Sequence, residues 1–275
     1  SGKTMLAQRI IGILPPLEIP EAVETAMMWA AAGRRRGLDT EPPFRAPHHT
    51  ASKAALVGGG SGNPVPGEVS LAHRGILFLD ELAEFPRGHL DTLRQPLEEG
   101  FVSVARRGMS VDFPASFQLL AATNPCPCGF HGDGRRPCDC RPAIRGRYRS
   151  RISGPLLDRF DLIVRVGRVE ADEYSGPDGE RSSAVSARVD KARLAQLDRG
   201  QVNRHLSTAN PSLIHESPEA RRLVAAAVGN AVLTARGADR VRRVARTIAD
   251  LEGVDQVEEM HMAEAVGLRG EWRDD

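Results

Sequence analysis

Two acids close an apolar run in Gly75–Glu81 (GILFLDE), and a lysine–threonine pair opens the chain in Ser1–Thr4 (SGKT). Ile76 to Leu79 are four consecutive apolar residues, a length that suits a strand buried on both faces of a parallel sheet. Asp80 and Glu81 would then lie at its carboxyl end. That is the edge where open α/β sheets bind ligands, and there one carboxylate can hold a metal while the other orients a water. An ordinary buried strand followed by an acidic turn reads the same on this segment alone, but SGKT narrows the choice. Followed by the helical spacing of Met5, Leu6, Ile10 and Ile11, it matches the end of the phosphate-binding loop G-x-x-x-x-G-K-[ST]. In such a loop backbone N–H groups at a helix start cradle phosphates, the lysine reaches the β and γ oxygens, and the threonine hydroxyl ligates magnesium. Ser1, Gly2, Lys3, Thr4 and Asp80 are therefore candidate nucleotide-binding residues, with Thr4 and Asp80 as magnesium ligands. Because it opens inside the motif, the chain is expected to be a piece of a longer protein.

Three further groups of residues have chemical potential. Phe117 to Ala122 (FQLLAA) is a second apolar strand, and it ends in Thr123-Asn124, again polar groups at a strand terminus. Cys126, Cys128, Cys138 and Cys140 form C-x-C-x9-C-x-C, two pairs that a glycine-rich stretch can bring to one tetrahedral centre. Thiolates favour zinc, and four of them leave no open position, so such a metal would brace a loop beside Asn124 rather than catalyse. C-x-C is tighter than the usual C-x2-C, and unligated thiols or redox chemistry remain alternatives. His131 is a substitute ligand or an exposed side chain. His48 and His49, adjacent on an expected strand, would point in different directions and make a poor metal pair. Arg106 and Arg107 lie at the turn between two short strands, Phe101 to Val104 and Met109 to Phe113, which gives a hairpin with a basic tip or a solvated turn.

Composition limits what these groups can belong to. The formal net charge of the 275 residues is +1, so there is no global basic field, and contact with nucleic acid needs a local patch or an assembly. No apolar run has transmembrane length, and four cysteines crowded into one segment are not the staples of a secreted domain; a cytoplasmic protein with no membrane contact is expected. Helical patterns run to Ile11, stop at Leu14-Pro15-Pro16-Leu17, and resume from Pro20 to Ala31. Phe44 to His49 is a strand edge, Gly58 to Gly67 a long Gly/Pro loop outside the core, and Leu90 to Glu98 an amphipathic helix closing at Gly100. Leu156 to Phe160 is a helical turn and Leu162 to Val166 a strand. Helices are expected at roughly 184–197, 218–233, 240–252 and 257–267. The division is an α/β part over residues 1–168, a polar linker at 169–183, and an all-helical part over 184–275.

Taken in order, these motifs resemble an AAA+ ATPase. FRAPHHTAS (Phe44–Ser52), VPGEVSLAHRGILFLDEL (Val65–Leu82), LRQPLEEG (Leu93–Gly100), ATNPCPCG (Ala122–Gly129), SGPLLDRFDL (Ser153–Leu162) and VARTIADLEG (Val244–Gly253) are similar to the magnesium-chelatase-like branch known as the YifB/ComM family. The resemblance covers nearly the whole chain. It implies a P-loop NTPase core, a parallel sheet flanked by helices, followed by a helical lid. It further implies ATP and Mg2+ as cofactors, Asp80 ordering the magnesium, Glu81 as general base and Asn124 as the sensor near the γ-phosphate. Arg159 would be an arginine finger acting on a neighbouring subunit, unless it pairs with Asp158 or Asp161, and Arg236 or Arg240 would be the second sensor, Arg236 favoured. A finger supplied in trans brings a homo-oligomer, most simply a hexameric ring. A Lon-protease-like domain usually precedes the ATPase in this family, and without it and the first loop glycines this chain is expected to turn over ATP poorly. The family further implies a motor that moves along DNA and promotes branch migration, with Lys53, Arg106 and Arg107 facing the backbone. A chelatase-like or Lon-associated ATPase that remodels protein partners is the competing class.

Overall fold

The computed structural model describes residues 2–59, 63–106, 109–167, 176, 179–206 and 213–269. It separates into two compact units, the first comprising residues 1–11 and 16–159, the second 12–15 and 160–275.

The first unit begins with helices α1 (Lys3–Ile10) and α2 (Ile19–Ala31). Glu18 and Glu21 form a capping box at the start of α2, each side chain taking up an otherwise unpaired backbone N–H. After β1 (Phe44–Arg45) come α3 (Lys53–Val57), the strand pair β2 (Gly58–Gly59) and β3 (Val65–Pro66), α4 (Glu68–Leu71) and β4 (Ile76–Leu79). Short helices α5 (Arg87–Leu90) and α6 (Arg94–Glu99) follow, and Gly100 in the left-handed region ends α6. Strands β5 (Phe101–Arg106) and β6 (Met109–Pro114) form the expected antiparallel hairpin, and β7 (Gln118–Ala121) returns to the sheet. Helices α7 (Pro142–Arg149) and α8 (Gly154–Leu157) close the unit.

Among the described residues the main sheet has the order β1-β4-β7 and is parallel throughout. All four residues of β4 are buried, which is why its sequence is uniformly apolar rather than alternating. Leu79 lies opposite Ala121, so the chain leaves both strands at the same sheet edge. Two backbone bonds lock that edge: Ala122 N–H to the Leu79 carbonyl at 2.9 Å and Leu82 N–H to the Ala122 carbonyl at 2.8 Å.

The second unit contains α9 (Ser182–Asp198), α10 (Pro218–Gly229), α11 (Ala235–Glu252) and α12 (Glu259–Leu268). Its apolar core is threaded by a buried polar knot. Arg246, fully buried, bonds Asp250 and the carbonyls of Val254 and Asp255, while Arg199 and Asn203 complete the acceptor sites of Asp250. The knot ties the end of α11 to the chain that follows it.

Several expectations change. The roots of the Gly58–Gly67 loop are not outside the core: Gly58, Gly59, Pro66 and Gly67 are buried, because the strand pair packs under α3 and α4. Residues 162–166 form no strand. Leu162, Val164 and Val166 are exposed, and Ile163 N–H bonds the Leu268 carbonyl, within the second unit. The apolar, β-branched residues suit a strand, but no neighbouring strand pairs with them among the described residues. Helix α11 starts at Ala235 rather than Arg240, because the Thr234 hydroxyl caps it by accepting from Gly237 N–H. Of the expected linker, residues 169–175, 177 and 178 lie outside the described residues.

Gly75 is the tightest point in the sheet. A Cβ there would stand 2.0 Å from the Pro43 carbonyl oxygen, the atom that accepts from Ile76 N–H and pairs β1 with β4. Gly75→Ala is therefore expected to cost about 1–3 kcal/mol through overpacking, measured as a lowered urea midpoint. An unchanged midpoint would show that the sheet edge accommodates the methyl group.

Candidate nucleotide site and cysteine centre

The sheet edge and α1 converge on one cavity. Lys3, Thr4, Asp80, Glu81, Thr123 and Asn124 line a cleft of about 180 Å³. The Thr4 hydroxyl donates to Asp80 Oδ2 at 2.7 Å, and Lys3 Nζ donates to the Thr123 carbonyl at 2.6 Å and to Asn124 Oδ1 at 2.9 Å. Burial pushes the Lys3 ammonium below its ordinary pKa, opposed by the attraction of Asp80. Asp80 Oδ1 accepts from the Glu81 backbone N–H at 2.9 Å, and Glu81 itself sits in the left-handed region at φ 52°. Left-handed backbone at a non-glycine residue is costly and concentrates at functional positions. Here it turns the chain after β4 into the short helical turn Leu82–Glu84.

Two contributors escaped the sequence reading. His49 Nδ1 lies 3.3 Å from Glu81 Oε2. The histidines are in a turn rather than on a strand, so their rings come together, 4.0 Å between centroids, with His49 edge-on to buried Phe85. Tyr148 of α7 shares a side-chain hydrogen bond with Thr123, and burial raises its hydroxyl pKa. Nothing in the spacing of the sequence links position 49 to 81, or 148 to 123.

A hydroxyl and a carboxylate meeting at Thr4 and Asp80 are hard oxygen donors of the kind magnesium takes, and the Lys3 ammonium on the cleft wall suits phosphate oxygens, so the residues present fit MgATP. Comparison with known proteins agrees. The family described as magnesium chelatase, subunit ChlI, matches residues 1–174, and that subunit's C-terminal family matches residues 179–269. The chain belongs to the magnesium-chelatase family, in its ComM/YifB branch. Competence protein ComM of Haemophilus influenzae is 42% identical over 98% of this chain and 53% of its own length. YifB of Salmonella typhimurium is 43% identical over 98% of the chain and 54% of its own length. An uncharacterised protein of Mycobacterium tuberculosis is 45% identical over 92% of the chain and 52% of its own length. The chain thus spans about half the length of the curated relatives it matches. Its first unit is the α/β P-loop fold of the AAA+ proteins, its C-terminal region helical, as this family implies.

The remaining candidates are more dispersed. The Arg159 guanidinium, 7% exposed, is bonded to the Pro155 carbonyl and to Glu98, an intrachain acid 61 positions away. Arg236 and Arg240 stand one turn apart on α11 in the second unit, Arg236 exposed and Arg240 paired with Asp161 at 2.6 Å. Lys53 is exposed at the start of α3. Ser1, Arg107 and the side chain of Arg106 lie outside the described residues. No helix among the described residues is long and apolar enough to cross a membrane.

Cysteine chemistry forms a second centre. The sulfurs of Cys126, Cys128, Cys138 and Cys140 all lie within 4.8 Å of one another and could hold a metal ion. Cys126, buried, is 3.3 Å from Cys128 and 3.6 Å from Cys138. Backbone N–H groups of Phe130, Cys140 and Cys128 bond the sulfurs of Cys128, Cys138 and Cys140 respectively. The Phe130 N–H holds the Cys128 thiol down to about 6. Although the Cys128 N–H favours the Cys140 thiolate, desolvation and the Cys128 and Cys126 sulfurs push Cys140 up to about 11. In chelator-treated protein, alkylation of Cys128 is expected to rise as pH passes about 6, and at pH 8 it should precede labelling of Cys140, followed by mass spectrometry. Labelling of Cys140 first would contradict that order.

Proposed function

We propose that this chain is the ATP-hydrolysing core of an AAA+ ring motor that acts on DNA. The observation that carries the reading is the convergence of Lys3, Thr4, Asp80, Glu81 and Asn124 on one cleft. Lys3 binds the phosphates, Thr4 and Asp80 hold magnesium, and Asn124 orients the terminal phosphoryl group. Glu81 accepts the proton of the attacking water, the part of the reaction that protein must supply when phosphoryl transfer depends mainly on positioning and charge neutralisation. Magnesium, when bound, neutralises charge that builds on the phosphate oxygens.

Arg159 serves a neighbouring subunit's nucleotide in this reading, and its pairing with Glu98 must open for it to do so. The ring is hexameric, with a core over residues 1–168 joined through 169–183 to a helical lid over 184–275. Arg236 or Arg240 of the lid is the second sensor. Lys53, Arg106 and Arg107 of each subunit face a DNA backbone, and six copies make a basic ring from a modest patch. One relative is named a competence protein, and the function inferred for this chain is branch migration in recombination or transformation. The family's chelatase description supports a second reading, remodelling of a protein partner.

ATP turnover of the full-length protein tests this, with and without branched and single-stranded DNA at two salt concentrations. Wild type should be stimulated by DNA, and Glu81→Gln should lower turnover by roughly 10²–10⁴-fold. Turnover indifferent to every DNA, but raised by a protein partner, would replace DNA with a protein client. For the cysteine centre the proposal is one structural zinc per chain. Cys128→Ser combined with Cys138→Ser should abolish zinc content measured by elemental analysis, and an undiminished content would rule the site out.

A further inference from the structure

The cysteine segment carries a charge that the rest of the chain does not. Residues 129–151 contain seven arginines and two aspartates, with no lysine or glutamate, in a protein of net charge +1. Elsewhere arginines have found carboxylates: Arg34 and Arg45 share Glu68, and Arg74 takes Glu21 and Glu24. Within the segment Arg145 bonds the Cys140 carbonyl and Arg151 bonds Ala83 and Glu84. Arg136, Arg141 and Arg147 are exposed, and among the described residues they make no ion pair.

Backbone geometry turns this charge outward. Gly129, Gly132 and Gly134 have φ of 81°, 78° and 71°, and a Cβ on any of them would meet nothing within 4 Å. These three positions therefore face open space, while the four sulfurs gather the loop's two ends. Its concave side, about 460 Å³, is lined by Phe130 through Cys138, and the Arg136 guanidinium lies 4.4 Å over the Phe130 ring. That stacking holds a flat cationic fork in place before any ligand arrives.

We infer that the cysteine-gathered loop and α7 form a binding surface for the phosphate backbone of nucleic acid, with Arg136, Arg141 and Arg147 as its contacts. It is separate from Lys53, Arg106 and Arg107. Use of arginine alone favours phosphate, which the guanidinium fork meets with two parallel bonds, and a stacked Phe–Arg pair offers a platform to a base. Helix α7 has one large exposed apolar side chain, Ile144, too little to lie in a membrane surface. Both ends of the segment meet the nucleotide cleft: Asn124 precedes Cys126, Tyr148 bonds Thr123, and Arg151 bonds the chain just after Glu81.

The inference rests on DNA being the motor's polymer, and the experiment separates the two. Binding of a labelled single-stranded and a duplex oligonucleotide to the full-length protein is measured by anisotropy across a salt series. Substituting Arg136, Arg141 and Arg147 together by Ala should weaken binding and flatten the plot of log affinity against log salt by about 0.7–0.9 for each contact removed. Substituting the three by Lys should restore most of the slope, since slope counts charges. Zinc content and thermal midpoint report whether the variants fold; if the triple Ala variant does not, Arg147→Ala alone should give a single-contact change. Unchanged affinity and slope in a folded Ala variant, with wild type binding DNA, would overturn this surface and leave the motor intact. Wild type that binds no DNA would remove both. Displacement of DNA by polyglutamate at equal charge would reassign the surface to an acidic protein.

Discussion

Everything in the nucleotide cleft depends on β4 being held between β1 and β7 in parallel register. Parallel pairing brings the carboxyl ends of neighbouring strands to one edge, and Leu79 opposite Ala121 brings Asp80 and Asn124 there together. The strand is fully buried, so its own residues can do nothing but pack. Its contribution is placement. Gly75 shows how little slack the arrangement has, since Pro43, just before β1, occupies the space a side chain would need. Once that edge is set, α1 needs only to present Lys3 and Thr4 to it.

Polar groups around the cleft already have partners in the chain. Lys3 bonds Asn124, Thr4 bonds Asp80, Glu81 faces His49, and Arg159 is bound to Glu98. For half-buried Lys3 and for Arg159 the partner offsets a cost of burial, whereas Thr4 and Glu81 are exposed. Any ligand entering the cleft would have to compete for these groups rather than find them idle. His49 is the informative case. Wedged between His48 and Phe85, it is held by the turn that leads into α3 and the β2–β3 pair, so the position of the Glu81 carboxylate is tied to elements beyond the sheet.

The cysteine centre stands in a different relation to the cleft. It supplies no group to it, yet begins just past Asn124 and returns through Tyr148 and Arg151. A glycine-rich loop of arginines would repel itself and wander if its ends were free; converging sulfurs and N–H···S bonds confine it. Local charge and local bracing thus occur in the same short stretch.

Much of this was legible in the sequence, for physical reasons. Burial on both faces demands an unbroken apolar run, a helix start on phosphate demands glycine, lysine and threonine in order, and a hairpin demands a tight turn, so β4, α1 and β5–β6 are written locally. Family resemblance rested on such segments as well. Long-range pairing was not legible. Arg159 and Glu98 are 61 positions apart, and which acid a flexible guanidinium meets is a matter of packing, not spacing. Residues 162–166 (LIVRV) are mostly apolar and β-branched as a strand should be, but a strand exists only if another presents its edge, and none does so among the described residues. His48 and His49 follow the same logic: the turn at His48–Ala51, invisible in the residue pattern, brought together rings that an extended backbone would have pointed apart. Sequence determined which local structures were possible, and tertiary packing decided which side chains met, because contact between distant residues depends on how the elements are stacked.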